Sequence, residues 1–290
     1  MAFMIGFCVF APLGDGLAKV LSGSIPILQI VLARYLAQAA LFGPLSVLLH
    51  DSLLPPRHLW PTLIARAVLH VAGLTAMFTS LIYLPLADAI AIAYVMPFIV
   101  LLLGALWLGE EVGQRRIIAC LIGFLGTLLV VQPAFDAVGL IALLPVGVAI
   151  IFALFMLITR QLSREIGPIA LQTISAPIAL ALVLPALWVG TVFELPWLSV
   201  APVSSGEAWL LAVLGILGAL AHLALTWALK LAAAATLAPI QYLEIPAAAL
   251  VGWWFFAEFP NGLALTGIAV TLISGVYVVA SEPRKTSSAS

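Results

Sequence analysis

The chain has 290 residues, of which 64% are hydrophobic and only 8% are charged. A soluble globular domain carries about 25% charged residues, so this composition excludes an ordinary water-soluble fold. The net charge of −1 also excludes the basic face by which proteins bind nucleic acids. We therefore expect the lipid bilayer as a partner and no nucleic acid.

Ten apolar segments, each long enough to cross a bilayer as a helix of about 20 residues, follow one another along the chain. They run over residues 2–20, 25–49, 60–83, 86–108, 115–132, 138–159, 168–190, 207–229, 234–257 and 262–280. The links between them are short and leave no room for a soluble domain. The first segment contains Asp15 and Lys19 and lacks a basic leader, so we interpret it as a span rather than a cleaved signal peptide.

The basic residues predict how the segments are oriented. With the N-terminus in the cytoplasm, the cytoplasmic side receives Arg57, Arg115, Arg116, Arg160, Arg164, Lys230, Arg284 and Lys285. The loops of the opposite side receive no Lys or Arg, and Lys19, Arg34 and Arg66 lie within segments. Because cytoplasmic loops are enriched in basic residues, we expect both termini in the cytoplasm, with residues 282–290 as a disordered tail.

The second half of the chain repeats features of the first. Three residue pairs recur at one constant offset: Tyr94 and Tyr242, Gly104 and Gly252, and Glu110 and Glu258. The segment that begins at Lys19 likewise resembles the one that begins at Arg160. We predict two related repeats, residues 1–136 and 137–281. Five spans per repeat is an odd number, so the second repeat enters the membrane inverted relative to the first.

These repeated features resemble ten-helix members of the drug/metabolite transporter superfamily, of the EamA type. The resemblance rests on a small-residue span with Tyr and Pro that ends in Gly109-Glu110, its repeat that ends in Ala257-Glu258, Arg34, and glycines in the segments that follow. It implies an inner-membrane, multi-pass secondary transporter with its substrate in a central cavity. It also implies that spans 5 and 10 pack at the periphery.

Several polar side chains in the segments are candidates for substrate binding. Tyr94 and Tyr242 occupy equivalent places, and each offers an aromatic face with a hydroxyl group. Gln241 accompanies Tyr242, while Arg34 lies about 14 Å into its segment and His70 near the midplane. The alternative is that the tyrosines are packing residues with satisfied hydroxyls and that His70 is a neutral, hydrogen-bonded histidine.

Charged side chains within the segments are candidates for proton coupling or for an ion network. Glu244 is the deepest acid with no basic neighbour in sequence, so it is a candidate for proton coupling or for binding a substrate amine. A salt bridge to Arg34 or Arg66 is the alternative. Asp15 and Lys19 have the spacing of a helical ion pair and, with Arg34, form either a structural network or a site for an anionic substrate group. Arg66 is shallow enough to snorkel.

Prolines interrupt several segments, and two of them, Pro239 and Pro246, bracket the cluster of Gln241 and Glu244. A proline inside a membrane helix frees a carbonyl group and permits a bend. We therefore predict that span 9 is a bent helix.

The sequence contains no metal-ligand spacing, phosphate-binding glycine loop or nucleophile motif, so we expect no cofactor and no metal, and not an enzyme. Cys8 and Cys120 are expected to be free. We expect a secondary transporter that moves a small organic metabolite, such as an amino acid, a vitamin or a related amphipathic or zwitterionic compound, by alternating access. Proton coupling, the direction of transport and the oligomeric state stay open. The alternatives are a membrane enzyme acting on a lipid-linked substrate and a scaffold that transports nothing.

Overall fold

Every regular element that the computed structural model describes is helical, and the described residues are 1–50, 53–109, 113–195, 198–258 and 262–281. The helices are α1 (Ala2–Leu21), α2 (Ile27–Leu48), α3 (Trp60–Tyr83), α4 (Leu86–Ala93), α5 (Met96–Leu108), α6 (Gln114–Val138), α7 (Leu144–Leu162), α8 (Pro168–Val192), α9 (Ser205–Leu231), α10 (Ala234–Leu237), α11 (Glu244–Phe256) and α12 (Gly262–Ser281). Short 3₁₀ turns at Arg57–Leu59, Gly139–Leu143 and Ala238–Leu243 lead into α3, α7 and α11.

The predicted spans correspond to these helices. Within the described residues, eight helical segments are long and apolar enough to cross a membrane, and two shorter apolar stretches, Ile117–Leu129 and Gly262–Ser274, occupy the fifth and tenth places. The all-α integral membrane fold of two five-helix repeats is therefore confirmed. Glu110 and the predicted tail at 282–290 lie outside the described residues, and the repeat boundary at 136 stays a prediction.

The two repeats pack against each other through their first three spans, with the first span of each repeat against the third span of the other and the two second spans together. Helix α1 of the first repeat packs against α9 of the second, α3 packs against α7, and α2 packs against α8. These contacts bring the first three spans of one repeat against the first three of the other. A cavity between the repeats is consequently lined by both.

Helices α6 and α12, which are spans 5 and 10, pack closely on each other. At Gly126 a side chain would meet Thr271 and the carbonyl oxygen of Gly267, so only a hydrogen atom fits at this contact. Small residues permit such close approach between membrane helices, where dispersion contacts replace the hydrophobic effect. This pairing agrees with the arrangement that the family resemblance implies for spans 5 and 10.

Spans 4 and 9 are both interrupted near their middle. Helix α4 ends at Ala93 and α5 begins at Met96, whereas span 9 passes from α10 through the 3₁₀ turn Ala238–Leu243 into α11. A proline lies close to each interruption: Pro97 is the second residue of α5, and Pro239 is the second residue of the 3₁₀ turn. The interruption of span 9 lies at the place where a bend was predicted. Both interruptions break the regular α-helical hydrogen bonding at the centre of the bundle. Inside a membrane this is tolerated only where the freed backbone N–H and C=O groups find other partners.

Candidate functional site

A cavity lies between the two repeats and encloses about 650 Å³ of space, counting the part that opens to solvent. Its apolar lining consists of Phe7, Ala11, Gly73, Leu74, Met77, Ile90, Ala93, Met96, Val148, Ala149, Phe152 and Ala221. Its polar lining consists of Asp15, Arg34, Tyr94, His222 and Glu244. The cavity therefore presents aromatic walls with a small number of polar groups, the usual composition of a site for an organic ligand.

Glu244 and Tyr94 join the two repeats inside this cavity. The Tyr94 hydroxyl donates a hydrogen bond to the Glu244 carboxylate, and both side chains are buried. Tyr94 follows the last residue of α4 and Glu244 is the first residue of α11, so each lies at the interruption of its span. The salt bridge from Glu244 to Arg34 or Arg66, which was the alternative interpretation, is not among the direct ion pairs of the described residues. A titratable group thus links the repeats by a hydrogen bond rather than by an ion pair.

Tyr242 and Gln241 lie behind the cavity wall rather than in its lining. The Tyr242 hydroxyl donates to the carbonyl oxygen of Cys120 at 3.3 Å. A side chain at Gly123 would overlap the Tyr242 ring, so the ring lies directly on α6. The Gln241 side-chain amide contacts the Met156 sulfur at 3.2 Å. The role predicted for Tyr242 and Gln241 in substrate binding stays a prediction, and in this conformation both are packing residues.

Arg34 reaches the cavity from α2 and is 4% exposed. Its Nη2 donates to the carbonyl oxygen of Gly218 at 3.1 Å, and its Nε has no partner in the described part of the chain. A Cβ atom at Gly218 would overlap the guanidinium group, so this glycine on α9 makes room for it. The buried guanidinium is therefore held by a backbone carbonyl and retains a free donor.

Lys19 does not pair with Asp15, contrary to the expectation from their helical spacing. Its ammonium group instead lies 2.5 Å from the Glu258 carboxylate and donates to the carbonyl oxygen of Leu84 at 2.9 Å. The other Glu258 oxygen accepts from the backbone N–H of Leu86 at 3.1 Å. Because Glu258 follows α11 of the second repeat, this ion pair ties the repeats together at the end of the bundle where α1 finishes. Asp15 stays in the cavity, half-buried.

His70 lies one layer behind the cavity. Its Nε2 is 3.3 Å from Nε2 of His222, which does line the cavity, and its ring stacks on Phe155 with 4.6 Å between centroids. His70 therefore supports the wall on which a ligand would lie. Its predicted contact with substrate stays a prediction.

Arg66 is fully buried, so the expectation that it snorkels to the surface was wrong. Its Nε donates to Thr159 Oγ1 at 2.9 Å and its Nη1 to Ser175 Oγ at 2.6 Å. The guanidinium group also lies 4.8 Å from the centroid of the Phe155 ring. Two hydroxyls and a ring face replace the water that a snorkelling side chain would reach, because α7 and α8 cover this part of α3.

The aromatic walls of the cavity, Phe7 and Phe152, and the methionine Met96 were not predicted from the sequence. No partner was predicted for Glu258, although the recurrence of Glu110 at this position is a signal in the sequence. Both cysteines, Cys8 and Cys120, are free and buried, as predicted. Within the described residues, no group of three or more His, Cys, Asp or Glu side chains is arranged to hold a metal ion.

Comparison with known proteins agrees with this architecture. The chain is 32% identical over 231 residues to the riboflavin transporter of Rhizobium johnstonii, covering 80% of this chain and 72% of the relative. It is 30% identical to the riboflavin transporter of Vibrio cholerae, covering 76% and 72%. It is 27% identical to the pseudopaline exporter of Pseudomonas aeruginosa, covering 74% and 73%.

A crystal structure of a protein with 21% sequence identity shares the fold, with a TM-score of 0.72 over 96% of each chain. The EamA-like transporter family matches residues 1–132 and 139–280, one match for each predicted repeat. The relatives named above are transporters, which argues against the membrane-enzyme alternative. The family match covers both repeats of the helical bundle. The chain therefore belongs to the EamA-like transporter family, whose members are multi-pass membrane transporters of small molecules.

Proposed function

We propose that this chain is a secondary transporter that carries riboflavin, or a closely related flavin, across the inner membrane by alternating access. The two riboflavin transporters at 32% and 30% identity support this substrate class. The cavity supports it independently, because Phe7, Phe152 and Tyr94 supply aromatic surface for a planar ring system. The few polar groups of the lining then orient the ring rather than hold a fully charged ligand.

Alternating access is supported by the way the repeats are joined. The Lys19–Glu258 ion pair connects the first and second repeats at the end of the bundle where α1 finishes. In inverted-repeat transporters, rocking of one repeat against the other opens the central site to each side in turn. This ion pair must separate for the cavity to open at that end.

Proton coupling through Glu244 is the second part of the proposal. Its carboxylate lines the cavity and accepts a hydrogen bond from Tyr94 of the other repeat, and this observation carries the coupling argument. Protonation removes the negative charge that holds this charge-assisted hydrogen bond, which weakens the link between the repeats. Acids inside membrane bundles commonly mark such proton pathways.

Counterflow of radiolabelled riboflavin in proteoliposomes tests the substrate, whatever the direction of transport. An imposed pH gradient then tests coupling. We expect Glu244→Gln to retain counterflow and to lose gradient-driven accumulation, because the side chain keeps its volume and loses its proton. Glu165→Gln, which alters an exposed acid outside the cavity, is the matched control. Gradient-driven accumulation by Glu244→Gln at the control rate would eliminate Glu244 as the coupling group.

We also propose that both termini are cytoplasmic, since the basic residues cluster on that side of the bundle. Because both native cysteines are buried, single cysteines can report orientation. Val203 and His58 are exposed at opposite ends of the bundle. In intact cells, an impermeant maleimide should label Val203→Cys and not His58→Cys, and the reverse pattern would invert the topology.

A further inference from the structure

Asp15 and Arg34 face one cavity from two consecutive helices. At 1.5 Å per residue, Asp15 lies about 9 Å before the end of α1, and Arg34 lies about 10 Å after the start of α2. A short turn joins these two helix ends, so both side chains stand at the same depth in the membrane. A carboxylate and a guanidinium are therefore presented to the cavity side by side.

Neither group forms a direct salt bridge among the residues that the structure describes. The direct ion pairs Lys19–Glu258 and His58–Glu165 include neither Asp15 nor Arg34. Arg34 donates to the carbonyl oxygen of Gly218 and keeps an unpartnered, buried Nε. A buried guanidinium with an unsatisfied N–H group is costly in a membrane unless a ligand or solvent meets that donor. The arrangement offers a ligand hydrogen-bond donors and an acceptor at neighbouring places.

We propose that Arg34 and Asp15 recognise the imide edge of a flavin ring and are the specificity-determining residues of the site. An imide places a carbonyl oxygen next to an N–H group. The carbonyl oxygen accepts from the Arg34 guanidinium, while the imide N–H donates to the Asp15 carboxylate. This inference rests on the proposed function, and it names the two side chains that distinguish a flavin from an apolar ring of similar size.

The surrounding cavity favours this ligand chemistry over a free amino acid. Phe7 and Phe152 line the cavity beside the two charged groups, and the His222 ring meets Phe7 edge-on with 5.8 Å between centroids. A flat, uncharged ring system covers these walls while its polar edge satisfies the charged pair. A small zwitterion would satisfy the pair and leave the aromatic walls without contact.

Gly218 acts as a positioning residue for this recognition. A Cβ atom at residue 218 would overlap the guanidinium of Arg34, and the Gly218 carbonyl oxygen is the group that holds its Nη2. Gly218→Ala must therefore displace the guanidinium while leaving the charge in the cavity. It should weaken binding of flavins that carry the carbonyl oxygen, whether or not the imide nitrogen is methylated.

The test compares riboflavin with N3-methylriboflavin, which lacks the imide N–H, by quenching of flavin fluorescence on the purified protein. We expect the unaltered protein to prefer riboflavin by at least about tenfold, because methylation leaves the Asp15 acceptor unsatisfied. In Asp15→Ala this preference should fall to about one. Asp88→Ala, which removes a half-buried carboxylate outside the cavity lining, should keep it. Arg34→Lys and Gly218→Ala should weaken both ligands and leave the ratio unchanged.

The outcomes separate this inference from the proposed function. If riboflavin binds and Asp15→Ala still discriminates against the methylated compound, Asp15 does not read the imide and the inference is overturned alone. The inference is also overturned if the unaltered protein binds riboflavin and N3-methylriboflavin with equal affinity. If neither flavin binds to protein that unfolds cooperatively on heating, the riboflavin proposal fails and this inference fails with it.

Discussion

The interrupted spans 4 and 9 are equivalent in the two repeats, yet their chemistry differs. Each contains a tyrosine, Tyr94 in span 4 and Tyr242 in span 9, and the residue two positions later lines the cavity in both. That residue is Met96 in span 4 and Glu244 in span 9. Two equivalent places therefore line the cavity, and only the one in span 9 carries a titratable group.

The hydroxyl groups of the two tyrosines have different hydrogen-bond partners, because only span 9 offers a carboxylate to the tyrosine of the other repeat. Tyr94 donates to the Glu244 carboxylate across the repeats, whereas Tyr242 donates to the backbone carbonyl of Cys120 on α6. Tyr94 consequently belongs to the cavity, while Tyr242 anchors span 9 on the peripheral helix α6. Equivalent positions in a duplicated sequence thus need not have equivalent roles.

The largest effect is expected when the carboxylate is moved from one repeat to the other. In the double variant Met96→Glu/Glu244→Met, the acid lies in span 4. Its equivalent partner in the other repeat would be Tyr242, whose hydroxyl already donates to the carbonyl oxygen of Cys120. We expect loss of gradient-driven riboflavin accumulation in proteoliposomes, because the relocated acid lacks its cross-repeat tyrosine. Counterflow measured on the same vesicles controls for folding.

The conservative single variant Met96→Leu separates the two changes, since it keeps an apolar side chain in span 4 and leaves Glu244 in place. It should accumulate riboflavin as the unaltered protein does. Accumulation by the double variant at that level would show that the asymmetry between the spans carries no function.

A smaller effect is expected from removing each tyrosine hydroxyl. A hydrogen bond to a charged group contributes about 1.5–3 kcal/mol. Because Tyr94→Phe removes the link that protonation of Glu244 is proposed to release, gradient-driven accumulation should fall by about tenfold or more. Tyr242→Phe removes a neutral bond and should lower the free energy of unfolding by about 1 kcal/mol while transport persists. Transport rates and thermal unfolding of both variants distinguish the roles, and matching losses of transport would contradict the assignment.

The spans and their duplication could be predicted because the bilayer imposes its thickness on every crossing. Span 3, for example, was expected at 60–83 and is helical over Trp60–Tyr83. Asp15, Arg34 and Glu244 were also found from the sequence, since an ionisable side chain inside a membrane is costly and therefore conspicuous. Such residues can be identified from the sequence because an ionisable side chain stands out within an apolar segment.

The cavity walls could not be predicted, because apolar side chains meet lipid, core and cavity alike. Phe7 and Phe152 are two of many large apolar residues in a chain that is 64% hydrophobic. The partner of Lys19 was missed for a different reason. A local spacing rule favoured Asp15, while the actual partner, Glu258, lies 239 positions away and is brought close only by the packing of α11 on α1.

The smallest effect on transport is expected from a change in the anchoring of span 9. At Gly123 on α6 an added Cβ atom would overlap the Tyr242 ring, which is fixed by its hydrogen bond to Cys120. Overpacking of this kind typically costs about 1–3 kcal/mol, so Gly123→Ala should lower the unfolding temperature in detergent while riboflavin binding to the folded protein persists. Gly147→Ala is the matched control, because nothing lies within 4 Å of the position that its Cβ would take. Equal unfolding temperatures for the two variants would mean that the Tyr242 ring moves freely, and the contrast between an anchored Tyr242 and a cavity-lining Tyr94 would then be lost.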